Sequence, residues 1–347
     1  MKGKAVIIIL LLTVLAVIVC FLLPKHNKVQ PSFYYWKTVY NLTENDSQLL
    51  NSLDVKKLYV KYFDVTWNQH AGEPKPEAII KFSTPVNNQQ RIIPVVFIVN
   101  DVLKKSDSSQ VVSLARNVAS LLKQINKVNN ITVTELQFDC DWSDATREKY
   151  FMFLRKVKAQ FKSDSILFSA TIRLHQVKYF KRTGIPPVER GMLMFYNMGQ
   201  LKNPITDNSI FDKKTALKYL DYIKSYPLQC DYALPIFTWG VHTRNNKVIG
   251  IENNISTADL ESMEQLKQVK KNILLVEEGF FFRGSYFNKG DAIRIEEVTP
   301  QLALQAAKLL SSEVNNNSFT VSLFHLDSSN IKRYAIKDFQ NIYNSFY

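Results

Sequence analysis

The chain has 347 residues, 46% hydrophobic and 12% aromatic, so it can bury a large core in one domain of about 250–300 residues or in two smaller ones. Its 44 Lys and Arg against 31 Asp and Glu give a net charge of +13, which suits nucleic acid, anionic lipid or an acidic glycan as a neighbour. The basic residues are scattered, without an arginine-rich run or a zinc-finger spacing, and this pattern argues against nucleic-acid binding.

The N-terminus carries an uncharged apolar segment, residues 5–23, with the sequence AVIIILLLTVLAVIVCFLL. At ~1.5 Å per helical residue it spans ~28 Å, about one hydrocarbon core. Lys2 and Lys4 precede it, so the positive-inside rule predicts a cytoplasmic N-terminus and an exported C-terminal part. Because no small-residue cleavage site follows, we interpret residues 1–24 as a transmembrane anchor. A cleaved signal peptide, or lipidation at Cys20, is the alternative.

Beyond a polar segment interpreted as a linker, residues 25–32, short apolar runs alternate with stretches of helical period. This alternation predicts parallel strands joined by helices, and eight repeats of it predict an α/β fold, a (β/α)₈ TIM barrel over residues 33–347. The predicted strands are 33–40, 57–65, 91–100, 133–142, 166–174, 191–199, 231–239 and 318–326.

Two intervals between predicted strands are too long for a simple loop and helix. Residues 68–90 predict an extra hairpin around positions 78–80, and residues 240–300 predict an insertion after the seventh strand. Helices are predicted at 108–128, 144–162 and 258–270, and strand-like sequence at 273–287.

Polar side chains are concentrated at the predicted carboxyl ends of the strands, where barrels of this type carry their reaction sites. Gln137, Asp139 and Asp141 share one face of the fourth strand, and the same alternation turns Arg173 of the fifth strand inward. Buried polar groups cost free energy unless they are hydrogen-bonded, so they indicate a site, with a buried Asp–Arg network as the alternative. Asp64 ends the second strand and is a further candidate.

The four tryptophans fall at or just beyond strand ends: Trp36, Trp67, Trp142 and Trp239. If the strands are parallel, these indoles should open onto one cleft at the carboxyl rim. Flat aromatic surfaces suit the apolar faces of sugar rings, and the indole N–H can bond a hydroxyl. The set therefore predicts carbohydrate binding, whereas each tryptophan alone could be a core or lid residue.

Three motifs carry a family resemblance. FDCDWS (138–143) resembles the fourth-strand D-x-D-x-E signature of chitinase-type glycoside hydrolases, Met194-Phe195-Tyr196-Asn197 resembles their sixth-strand M-x-Y-D, and LPIFTWG (234–240) resembles their seventh strand. Residues 30–347 also resemble an uncharacterised bacterial cell-envelope family of glycoside-hydrolase-like barrels. The resemblance implies an envelope or dietary glycan as ligand and substrate-binding roles for Tyr196 and Asn197. We expect no cofactor and no metal, and the apolar N-terminal segment predicts an extracytoplasmic location. The resemblance says nothing about protein partners.

The chain departs from that signature at two positions. Ser143 stands where the signature has its catalytic glutamate, and Asn197 where M-x-Y-D has its aspartate. Serine cannot protonate a glycosidic oxygen, although it can cap the following helix. Two hypotheses follow: a glycoside hydrolase in which Asp139 and Asp141 act as acid/base or substrate-positioning groups, or a catalytically inactive glycan-binding barrel.

Overall fold

The computed structural model describes residues 28–86, 89–161, 165–203, 206–260, 263–314 and 318–347. The predicted eight-stranded parallel barrel is confirmed. Its strands are β1 (Lys28–Tyr35), β2 (Lys57–Asn68), β3 (Arg91–Ile98), β4 (Glu135–Asp139), β5 (Leu167–Arg173), β6 (Arg190–Met194), β7 (Cys230–Pro235) and β8 (Ser318–Phe324). Each strand pairs with the next, and β1 closes the ring because Phe33 is in register with both Leu58 and Leu323.

Helices connect the strands and cover the barrel. They are α1 (Glu44–Ser52), α2 (Asn100–Lys105), α3 (Ser108–Val128), α4 (Arg147–Ala159), α5 (Leu174–Lys178), α6 (Phe180–Thr183), α7 (Lys213–Lys224), α8 (Thr257–Leu260), α9 (Pro300–Ser311), α10 (Ser328–Ile331) and α11 (Ile336–Asn344). The predicted helix 108–128 coincides with α3, which starts where the Asp107 carboxylate accepts a hydrogen bond of 2.8 Å from the Gln110 N–H. The predicted helix 144–162 is shorter, because residues 143–146 form a turn before α4.

The insertion after β7 is a small sheet with its own apolar core. Its five strands are Lys247–Asn253, Thr238–Arg244, Ala292–Glu297, Ile273–Val276 and Leu266–Lys270, in the order in which they pair. The predicted helix 258–270 is wrong beyond α8, because Leu266–Lys270 pairs antiparallel with Ile273–Val276. The strand-like residues 273–287 form the strand Ile273–Val276 and a hairpin, Phe280–Phe282 with Ser285–Phe287.

An extra hairpin does follow β2, but its turn is at residues 69–72 and not at the predicted positions 78–80, because Glu73–Glu77 pairs with the end of β2. The short strand Lys81–Phe82 pairs instead with Val39–Tyr40. Strand β1 begins five residues earlier than predicted, so residues 28–32 of the predicted linker 25–32 belong to the barrel. They pair with β8, and Val29 is buried there. The predicted anchor, residues 5–23, lies outside the described residues. Among the helices described, none is long and apolar enough to cross a membrane.

Candidate functional site

A cleft opens at the carboxyl ends of the barrel strands. It encloses about 200 Å³. Its lining residues are Trp36, Phe97, Asp139, Arg173, Tyr196, Asn197, Phe237, Thr238, Trp239, Asn253, Asn254, Phe324 and His325. Six of the predicted site residues are therefore brought together: Trp36, Asp139, Arg173, Tyr196, Asn197 and Trp239. Aromatic rings dominate the walls, and the charged groups lie at the floor and one rim.

Asp139 lies at the floor of this cleft, where the inward alternation of β4 places it. It is only 5% exposed, and the Thr171 hydroxyl donates a hydrogen bond of 2.5 Å to its carboxylate. Burial raises the pKa of the Asp139 carboxyl to about 6, a rise that the Arg173 guanidinium opposes and Asp141 reinforces. A carboxyl group with such a pKa can exchange a proton near neutral pH.

Asp141 lies at the rim and is held by Arg173. The guanidinium reaches both carboxylate oxygens, Nη2 lying 3.3 Å from Oδ2 while Nε donates to Oδ1. The Asp141 side chain is still 53% exposed. A second cavity, of about 330 Å³, begins here and shares Arg173, Tyr196 and Asn197 with the first, so the two form one groove.

Asp64 faces the barrel interior because of a β-bulge. Along β2, Lys61 is in register with Val95 but Phe63 with Val96, so one extra residue is absorbed between them. Lys61 and Asp64 therefore lie on the same side of the strand and form an ion pair of 3.0 Å. Asp64 does not line the cleft itself, although its charge contributes to the raised pKa of Asp139.

Trp36 and Trp239 supply the aromatic walls of the cleft. The Trp36 ring lies 5.5 Å from Phe324 and the Lys61 ammonium lies 5.8 Å from its centre. The Trp239 indole N–H donates 2.8 Å to Glu296, a fully buried carboxylate of the insertion. Trp239 can therefore offer its ring face to a ligand, but its N–H is already used, contrary to the sequence-based expectation.

The expectation that all four indoles share the cleft is wrong for Trp142. This ring is 1% exposed, stacks on Tyr150 at 5.1 Å and donates 2.8 Å to the Thr183 carbonyl. Trp142 lies on the same face of the chain as Phe138 and Cys140, so the alternation that turns Asp139 and Asp141 inward turns Trp142 outward, toward α4 and α6. Trp67 lies in the extension of β2 that pairs with Glu73–Glu77 and does not line the cleft.

Gln137 is also placed differently from a substrate-binding residue. It is completely buried inside the barrel, where Tyr34 donates 2.5 Å to its carbonyl and its amide donates 3.3 Å to Ser169. It supports the layer beneath Asp139 and is inaccessible to a ligand.

Ser143, at the position of the signature glutamate, participates in a turn. Its hydroxyl lies 3.3 Å from the Thr146 hydroxyl, which donates in turn to Asn100 at 2.7 Å. Its carbonyl accepts the Thr146 N–H at 3.0 Å. Ser143 does not line the cleft. The predicted capping role is thus replaced by closure of the turn that precedes α4.

Sequence reasoning missed His325 and three phenylalanines of the cleft, Phe97, Phe237 and Phe324. Burial lowers the pKa of His325 to about 4, so the ring is neutral at physiological pH. The signal that could have found His325 is its position at the carboxyl end of the eighth predicted strand.

Comparison with known proteins gives a fold but no family. The sequence matches no family model and no curated protein. The spore cortex-lytic enzyme SleL of Bacillus cereus is similar with a TM-score of 0.54 at 14% identity, covering 92% of this chain and 75% of SleL. A chitinase of Chromobacterium violaceum has a TM-score of 0.53 at 10% identity, covering 90% of this chain and 98% of that one.

A chitinase-like agglutinin of Robinia pseudoacacia is equally similar, with a TM-score of 0.53 at 11% identity, covering 91% of this chain and 99% of the agglutinin. The fold expected from the motif resemblance is therefore confirmed. At these identities the likeness establishes the barrel architecture alone.

Proposed function

We propose that this protein is a glycan-binding barrel without chitinase-type hydrolysis. The observation that carries the proposal is the cleft itself, where Trp36 and Trp239 face a groove whose rim carboxylate, Asp141, is paired with Arg173. Ring faces recognise sugar rings, and the groove continues past Arg173 for a further 330 Å³ or so. Barrels of the same fold include an agglutinin as well as chitinases.

The arrangement of carboxylates supports binding rather than hydrolysis. Glycoside hydrolysis requires two carboxyl groups that flank the scissile bond, one of them as proton donor. Asp141 is paired with Arg173 and Asp64 with Lys61, and the position of the signature glutamate holds a serine turned toward Thr146. No pair of unengaged carboxylates faces the cleft in the part of the chain that the structure describes.

Binding and cleavage of a glycan panel by the full-length protein test the proposal. We expect saturable binding of at least one glycan without release of reducing sugar. Trp36→Ala should weaken that binding at least about tenfold, a loss of about 1.4 kcal/mol. Trp67→Ala is the matched control and should leave affinity unchanged. Equal effects of both variants would contradict the proposed site.

A second candidate function, hydrolysis with Asp139 as the acid, is favoured by one observation. Its pKa of about 6 and its place at the cleft floor suit a proton donor. If a glycan is cleaved, Asp139→Asn should lower the rate by ~10²-fold or more. Asp141→Asn tests the alternative assignment to the rim, and a larger effect there would favour Asp141 as the catalytic group.

We further propose that residues 5–23 anchor the protein in the cytoplasmic membrane of a bacterium with the barrel outside. Their uninterrupted apolar sequence supports this proposal. Membrane fractions washed with alkaline carbonate should retain the full chain, and mass spectrometry should detect residues 1–23. A soluble form that begins after residue 24, or an acylated Cys20, would contradict it.

A further inference from the structure

A second polar cavity opens at the amino-terminal mouth of the barrel, opposite the glycan cleft. It encloses about 260 Å³, and Lys57, Arg91 and Arg190 contribute positive charge to its lining against the carboxyl group of Glu135. Lys57 lies 3.8 Å from Glu135, and Arg190 is paired with the buried Asp231. Arg91 is exposed and forms no ion pair within the described ranges. The mouth therefore carries positive charge that the protein does not neutralise.

More basic residues surround this mouth. Because the helices run antiparallel to the strands, their last turns lie at the same end of the barrel as Arg91. Lys127 of α3, Lys156 of α4 and Lys308 of α9 occupy such last turns, and Lys28 is the first residue of β1. In the part of the chain described, none of these four forms an ion pair.

Three acidic groups of the same face are already paired, whereas Asp221, in the last turn of α7, has no ion pair in the described ranges and offsets one positive charge. The pairs are Asp54 with Lys56, Glu189 with Lys158, and Glu313 with Lys224. The lysines of these pairs do not add to the excess of positive charge on this face, and their acidic partners do not reduce it. Arg91 and the four unpaired lysines thus form a basic face, defined here as Lys28, Arg91, Lys127, Lys156 and Lys308.

The connection to the apolar N-terminal segment determines where this face lies. The segment ends at residue 23 and β1 begins at Lys28, so five residue steps separate them. A fully extended chain covers at most about 18 Å over that length. If residues 5–23 span a bilayer, the mouth at which β1 starts is held within that distance of the lipid surface.

We propose that the basic face docks on anionic lipid headgroups, so that the glycan cleft points away from the membrane. The inference rests on the proposed membrane anchor. Charge complementarity supports it, since lysine and arginine recognise phosphate and are attracted to anionic leaflets. The area between the barrel and the bilayer is then occupied by lipid headgroups, and the ligand reaches the cleft from the far side.

The experiment uses the full chain, carrying Cys20→Ala, in vesicles of phosphatidylcholine with or without phosphatidylglycerol. A fluorophore is attached at Thr134→Cys, an exposed position at the mouth, or at Asn253→Cys, an exposed position at the cleft. Cys140 and Cys230 are buried and should not compete for the label. Quenching by a headgroup-labelled lipid measures how close each position lies to the surface.

In anionic vesicles the Thr134 label should be quenched more than the Asn253 label, and the difference should shrink in neutral vesicles or at high salt. Arg91→Gln should lower the equilibrium constant for docking by up to about fivefold, the factor for one basic side chain at an anionic surface, and should lower the mouth-to-cleft quenching ratio accordingly. Arg116→Gln, on the exposed flank of α3, removes the same charge and should change nothing.

Two results would overturn the docking face and leave the anchor intact, provided that the chain stays in the vesicles after an alkaline wash. They are equal quenching at both positions and no response to Arg91→Gln. Loss of the chain in that wash would overturn the anchor and, with it, this inference. Inorganic phosphate is compared with chloride at equal ionic strength. If phosphate alone abolishes the anionic-vesicle effect, the mouth binds a soluble anion and the headgroup assignment is wrong.

Discussion

The two ends of the barrel interior contain the same kinds of side chain in different surroundings. At the amino-terminal end, Arg190 and Asp231 pair at 2.7 Å with the carboxylate 2% exposed. At the carboxyl end, Arg173 pairs with Asp141, whose side chain is 53% exposed, next to the rings of the cleft. Inward-facing polar residues therefore do not by themselves distinguish a binding site from internal support.

Aromatic surface and exposure distinguish the two ends. The Arg190–Asp231 pair compensates its own burial, and the Thr320 N–H donates a further 2.7 Å to Asp231, although burial raises the pKa of the Glu135 carboxyl beside Lys57. Each end therefore holds a carboxyl group with a raised pKa, but at the carboxyl end that group, Asp139, is surrounded by rings that a ligand can contact. This contrast predicts that equivalent substitutions at the two ends have different consequences.

The largest expected effect is at the buried pair. Asp231→Ala removes a buried carboxylate that neutralises Arg190 and accepts the Thr320 N–H, so it should lower the free energy of unfolding by about 3–5 kcal/mol. Asp141→Ala breaks the exposed pair and should cost no more than about 1 kcal/mol. Urea denaturation of both variants measures the difference. Similar losses in the two variants would show that the ends are energetically alike.

The next effect concerns pH. The carboxyl of Asp139 binds its proton more tightly in the folded state, where its pKa is about 6, than in the unfolded state, where it is near 3.8. Protonation therefore stabilises the fold, and this stabilisation is lost as the pH rises from about 4 to about 6. The lost contribution is about 3 kcal/mol at most.

Asp139→Asn should remove that pH dependence and be the more stable protein above pH 6. Urea denaturation across this pH window, with wild type and Asp141→Asn in parallel, measures it. If Asp139→Asn retains the wild-type slope, another group titrates and the assignment is wrong.

A smaller effect is expected behind the aromatic wall. Glu296 accepts hydrogen bonds from Trp239, from Arg294 at 2.7 Å and from the Ser209 hydroxyl at 2.5 Å. Glu296→Gln weakens these contacts and should reduce glycan affinity by about threefold to tenfold through displacement of Trp239, or about 1 kcal/mol. Glycan titration and the indole emission wavelength are measured together. Reduced affinity with unchanged emission would argue against a positioning role.

The smallest effect is expected at the position of the signature glutamate. Ser143→Ala removes one hydroxyl contact in the turn before α4 and should cost about 0.5–1 kcal/mol of stability. Since Ser143 does not line the cleft, glycan affinity should stay the same. Isothermal titration of the variant tests this, and a marked loss of affinity would place Ser143 in contact with the ligand.

The sequence predicts the architecture well because strand alternation and helical period persist over whole elements. All eight barrel strands overlap their predicted ranges, with β1 shifted by five residues, α3 coincides with its prediction, and Asp139 and Arg173 do face the cleft. The insertion was less predictable. Leu266–Lys270 is a strand because it pairs with Ile273–Val276, and such a partner is not visible in local periodicity.

Individual site residues were predicted less evenly, because Trp36, Tyr196 and Asn197 lie just beyond strand ends and do line the cleft, whereas Trp142 does not. Trp142 is in phase with the outward residues Phe138 and Cys140, and it packs on Tyr150 and Thr183 outside the barrel, so alternation within β4 would have excluded it from the cleft. His325 was overlooked because a single histidine at a strand end carries no pattern. Its place in the lining of the cleft becomes apparent only from the pairing of β8 with β1, which closes the barrel.

The bulge in β2 has a consequence for how this chain is aligned with others. On a regular strand, alternation from the inward-facing Lys57 would turn Phe63 inward and Asp64 outward. The structure has the reverse, because Tyr62 is the extra residue of the bulge. A relative with one residue fewer before its aspartate would keep that aspartate inward on a regular strand. Alignments across β2 should therefore allow a one-residue gap at Tyr62, or they will match a helix-facing phenylalanine to an interior carboxylate.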